Sequence, residues 1–106
     1  MENQKTVTDW CNKYYPNETR QQMLKVLIEE ATELSIAMGD ISYEEIIEVV
    51  SKTWKELSHD KGNSEHIASG VADVQIAIHA IASKVGMQAQ EALDEKMAKN
   101  RKNIGD

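Results

Sequence analysis

Ile67, Val71, Val74, Ile78, Ile81 and Val85 recur at spacings of four, three, four, three and four residues. That rhythm does not suit a strand, whose side chains alternate with period two. It lays one continuous apolar seam along an α-helix. Roughly 120° round the same helix, at about 100° per residue, lies a second face with Asp73, Ala77 and Ala80. Small and apolar residues therefore extend beyond a single stripe, as expected of a helix central to its fold. One Pro and five Gly in the whole chain leave little material for hairpins.

The remaining punctuation divides the chain into helices. A first helix is expected from about Thr8 to Tyr15, stopped by Pro16. Asn17 or Thr19 can cap a second, which continues to Met38 with Gly39 at its C-terminal end. Ser42-Tyr43-Glu44-Glu45 reads as a capping box opening a third helix to about Ser58, despite its β-branched Ile46, Ile47, Val49, Val50 and Thr53. Asp60-Lys61-Gly62-Asn63 is a loop, after which Ser64 can cap the seam helix, reaching Val85 before Gly86. A fifth helix spans roughly Gln88 to Arg101. There is no internal repeat, low-complexity tract or linker. The expected fold is one all-α domain over residues 1–106, a bundle of about four to five helices.

With 106 residues the chain has room for one core of ordinary size. Aromatics are 5% of it and Phe is missing, so that core is aliphatic and thin. A small chain of this kind gains burial by associating with copies of itself. A homodimer or a dimer of dimers, joined through the long helices, is the expected state. Cys11 stands alone, which excludes an internal disulfide and fits a reducing, cytoplasmic setting. No stretch approaches membrane-spanning length. The net charge of −6 argues against a nucleic-acid polymer as partner, which would need a broad basic face.

The second helix carries an anomaly. Met23, Leu27, Glu30, Leu34, Ala37 and Ile41 repeat the 4-3-4-3-4 rhythm, yet the third place is a carboxylate. Glu33 lies one turn on, at the edge of the same face, and Glu29 is adjacent in sequence. Burying an ionised carboxylate is costly unless it is paired or binds a metal, and no basic residue lies within a turn. Acidic clusters on helices are commonly solvated faces, but the seam position of Glu30 argues against that reading here. Asp73 is a second carboxylate in an apolar helix. One shared oxygen-rich cation site is more economical than two unrelated accidents. Hard oxygens select Mg²⁺, or Mn²⁺, over zinc, and His59, His66 and His79 form no Cys/His array.

These residues resemble the MazG-like, all-α nucleoside triphosphate pyrophosphohydrolases over nearly the whole chain. Residues 9–16, DWCNKYYP, are similar to the family's opening helix with its Trp and terminal Pro. Residues 27–40, LIEEATELSIAMGD, resemble the acidic helix, its ExxE supplied by Glu30 and Glu33. Residues 71–78, VADVQIAI, resemble the second motif, whose Asp is Asp73. Residues 94–102, DEKMAKNRK, resemble the closing helix, with Lys96 and Asn100 at the places that approach substrate phosphate. The second motif of the family is normally ExxD, often with another Glu just before it, and Gly70 and Ser69 occupy those places here. One metal-ligating carboxylate is thus missing. The segment between the motifs is also longer, by the Ser42–Ser58 helix.

The resemblance implies hydrolysis of a (deoxy)nucleoside triphosphate to monophosphate and pyrophosphate, with nucleotide-pool cleaning as the role. It implies Glu30, Glu33 and Asp73 as metal ligands and Glu29 as a further ligand or as the base that orients water. Divalent cations between protein carboxylates and phosphates would reverse an otherwise repulsive encounter and lower the pKa of the attacking water. Residues 96–103 hold Lys96, Lys99, Arg101 and Lys102 with no acid, which leaves −10 on the remainder. Lys96 and Arg101 are the expected contacts for the leaving pyrophosphate, although basic residues also suit any helix C-terminus. Trp10 can stack on a base or serve as core, and His66 can partly replace the lost carboxylate. Two other readings stay open: a weakened relative that binds nucleotide or metal without efficient turnover, and a ligand-free helical interaction module.

Overall fold

A computed structural model describes residues 1–105, and among them every regular element is helical. The α-helices are α1 (Gln4–Tyr14), α2 (Arg20–Met38), α3 (Tyr43–Leu57), α4 (Ile67–Lys84) and α5 (Ala89–Asn103). Short 3₁₀ turns at Ser58–Asp60 and Ser64–His66 flank the loop between α3 and α4. None of the described helices is long and apolar enough to cross a membrane.

Three helices begin on reciprocal capping boxes. At α2 the Thr19 hydroxyl accepts from the Gln22 N–H while the Gln22 side chain accepts from the Thr19 N–H. Ser42 and Glu45 do the same for α3. Each box satisfies two donors that a helix start otherwise leaves unmade. At the far end of α2, Gly39 sits at φ 74°, a left-handed turn that a side chain would strain, and its N–H reaches the Ser35 carbonyl.

Two starts differ from expectation. Helix α1 begins four residues before Thr8, because Asn3 and Thr6 form a third capping box. Ser64 opens a 3₁₀ turn instead of capping α4, which starts after His66 with no side-chain cap. At the other end, α5 extends past Arg101 to Asn103.

The chain divides into two units, one formed by Met1–Pro16 with the chain from Ser64, the other by Asn17–Asn63. In the first, α4 packs against α5, and Ala82 of α4 and Met97 of α5 are buried. Trp10 of α1 lies half-buried against Tyr14 and Tyr15, with ring centroids 5.3 and 5.4 Å away. In the second, α3 runs into the 3₁₀ turn at Ser58, and the apolar side chains of α2 and α3 stay largely open: Leu27, Ile28, Ile36, Val50 and Trp54 are all exposed.

Candidate functional site

On α2, Glu29, Glu30 and Glu33 are all exposed. The seam expected to enclose Glu30 is not covered within this chain, for Met23 and Leu27 beside it are exposed as well. The desolvation argument that singled out Glu30 therefore does not operate in a single copy. What the helix does supply is spacing. Glu30 and Glu33 stand one turn apart, about 4.5 Å along the axis, and Glu29 lies a residue before them. Between and after them, the Thr32 and Ser35 hydroxyls donate to the Ile28 and Ala31 carbonyls, so both are taken up by the helix itself. The carboxylates are the accessible polar groups of this stretch, and hard, ionised oxygens are the donor set that Mg²⁺ or Mn²⁺ takes.

Asp73 is exposed on α4, in the other unit. Among the described residues, no group of three or more His, Cys, Asp or Glu is gathered closely enough to hold a metal ion. Gly70 stands inside α4, and a Cβ built there meets nothing within 4 Å, so the position where the related motif has Glu is sterically open. His66 precedes the helix as its N-cap residue. Seven residues of helix rise roughly 10 Å, two full turns, which makes His66 a poor stand-in for a carboxylate one turn from Asp73.

The basic segment on α5 separates into two kinds of side chain. Lys96, Lys99 and Lys102 are exposed, and Asn100 is half-buried. Arg101, an expected pyrophosphate contact, is engaged elsewhere: its Nη1 and Nη2 donate to Glu2 Oε2 and Oε1 at 2.6 and 2.8 Å. This is the two-pronged geometry by which arginine also grips phosphate. The corner continues through the Glu2 N–H, which donates to Asp94 Oδ1 at 2.7 Å. The Gln90 amide donates to both the Glu2 carbonyl and Asp94 Oδ1. The Arg101 guanidinium holds the Glu2 carboxyl below its ordinary value, and the Glu2 N–H followed by Gln90 does the same for Asp94. Sequence reasoning missed this corner, because Glu2 and Arg101 are 99 residues apart and no local period links them.

Trp10, expected to stack on a base or to pack, is committed to the two tyrosines. Its Nε1 is buried and has no hydrogen-bond partner among the described residues. Comparison with protein families, with curated proteins and with solved structures finds no match to this chain.

Proposed function

We propose that the protein is a metal-dependent pyrophosphohydrolase acting on (deoxy)nucleoside triphosphates, MazG-like in type, which releases monophosphate and pyrophosphate. The observation that carries the reading is the order of four motifs along one all-helical chain. They are the Trp- and Pro-bearing opening helix, Glu30-x-x-Glu33, Val71-Ala72-Asp73-Val74 and the Lys96–Asn100 closing segment. The accessible carboxylates one turn apart on α2 support it. Glu30 and Glu33 would hold Mg²⁺ or Mn²⁺, with Asp73 assigned as a third ligand by the motif alone. The cation would polarise the α-phosphoryl group and activate water. Glu29 would orient that water or serve as a further ligand. Lys96 and Asn100 would meet the phosphates, Arg101 would do so only by exchanging its Glu2 carboxylate for an anion, and Trp10 would stack on the base only by giving up contact with Tyr14 or Tyr15.

The same reading makes the active species a homodimer or a dimer of dimers in the cytoplasm, since so much apolar side chain on the long helices stays open in one copy. Gly70 and Ser69 favour a second reading, a relative that retains nucleotide or metal without efficient turnover. The test is release of pyrophosphate from a panel of nucleoside triphosphates with Mg²⁺ or Mn²⁺, alongside calorimetric titration of Mn²⁺ without nucleotide. Turnover supports hydrolysis. Binding without turnover selects the weakened relative, and neither result leaves the chain a helical interaction module.

A further inference from the structure

Helix α3 belongs to none of the motifs, yet it has the most sharply divided surface of the molecule. Tyr43, Ile47, Val50, Trp54 and Leu57 follow at spacings of four, three, four and three, the rhythm of a helix-pairing seam. All five are between 46 and 72% exposed, and Trp54, one turn beyond the central Val50, is 64% exposed. The charged residues Glu44, Glu45, Glu48, Lys52, Lys55 and Glu56 all lie about 100° or more from the centre of that stripe. Its immediate flanks are Ile46, Ser51 and Thr53. Among the described residues, the backbone of α3 comes close to no other element than the 3₁₀ turn that continues it.

We propose that this face docks on α3 of a second copy, the two helices running antiparallel. Two observations choose the copy as occupant. The first is charge. The N-terminal half carries Glu44, Glu45 and Glu48, a balance of −3, and the C-terminal half carries Lys52, Lys55 and Glu56, a balance of +1. Antiparallel pairing brings Glu44 at the acidic end of each helix toward Lys55 at the other end of its partner, the two charged residues nearest the seam, and opposes the two helix dipoles favourably. The second is area. With roughly 200 Å² for a whole large side chain, the five exposed residues offer roughly 600 Å² per copy. Covering the stripe on both copies removes roughly 1,200 Å² from water in total, the lower edge of a stable interface, and the roughly 600 Å² on one copy stands at the upper end of the apolar patches monomers expose. Trp54 is the anchor by size.

The inference rests on the self-association in the functional reading and not on hydrolysis, so the experiment uses no nucleotide. The mass of the full chain is measured by light scattering at micromolar concentration for the unmodified protein, Val50→Glu, Val50→Lys and an equimolar mixture of the two variants. Helix content is followed by circular dichroism. The unmodified chain is expected as a dimer or tetramer, each variant at half that mass with its helix content kept, and the mixture restored, since Glu and Lys at the centre of the seam complement each other across it. A monomeric unmodified chain overturns this inference together with the proposed self-association. An unmodified assembly with variants of unchanged mass overturns the α3 inference alone. If a variant loses helix content, the mixture decides: failure to regain the original mass overturns the pairing.

Discussion

The corner at Glu2, Gln90, Asp94 and Arg101 and the acidic stretch of α2 use the same kinds of side chain to opposite ends. At the corner, two carboxylates, an amide and a guanidinium answer one another within 2.8 Å, three of them on the helix that carries buried Met97. On α2, three carboxylates and a broad apolar surface stay open together. The first region completes itself within one chain. The second leaves carboxylates and apolar surface accessible to solvent, and on the proposed reading a cation would meet the former and protein surface the latter. Substitutions should therefore cost stability in the first and function in the second.

The largest expected effect tests the open region. Glu30→Gln keeps the volume and removes the charge, and should lower hydrolysis by about 100-fold or more while leaving the thermal midpoint near its original value. A large drop in midpoint with Mn²⁺ binding unchanged would instead make Glu30 a structural partner. In the closed region, Met97→Ala should destabilise by about 2–4 kcal/mol in urea titration, because it empties a buried site on α5. A cost under about 0.5 kcal/mol would mean that this contact is not a core.

Gly70 probes both properties at once. A side chain there meets open space, so Gly70→Ala should stabilise α4 by about 1 kcal/mol with no change in metal requirement. Gly70→Glu should give the helical gain and also lower the Mg²⁺ concentration needed for half-maximal activity. Equal metal requirements in the two variants would refute the missing-ligand account.

The smallest effect belongs to the corner's titration. Both Glu2 and Asp94 have folded pKa values depressed below the ordinary ones. Their contribution is fully present above the ordinary carboxylate range and is lost as pH falls through the depressed values. From pH 7 down to pH 5 the corner should hold. In acid, the NMR resonance of the Glu2 amide should move with a midpoint below an ordinary carboxylate's. Arg101→Gln should raise the Glu2 carboxyl midpoint, and an unchanged midpoint would deny the guanidinium its role.

What could be read from the sequence followed the range of the interaction responsible. Ser42 with Glu45, Thr19 (one of two offered caps, Asn17 being the other) and Gly39 after Met38 act over three or four residues, and the boundaries these three imply are those observed. The start of α1 escaped because the Asn3–Thr6 box lies ahead of the first apolar residues. Ser64 misled because a capping residue can open a 3₁₀ turn as well as an α-helix. The Glu2–Arg101 pair joins opposite ends of the chain and has no local signature. The enclosure expected for Glu30 assumed that a seam is covered by its own chain. Periodicity tells which side of a helix seeks cover, not which molecule provides it.

The reciprocal caps on α1, α2 and α3 have a kinetic consequence. Each fixes a helix start through groups three residues apart, so helix nucleation in this chain depends on no distant contact. After dilution from denaturant, the far-ultraviolet signal should recover mainly in a fast phase whose rate is independent of protein concentration. A slower phase that accelerates with concentration should carry the change in Trp54 emission. Order along the chain and order between chains would then arise as two separable events, the first setting the register in which the second occurs.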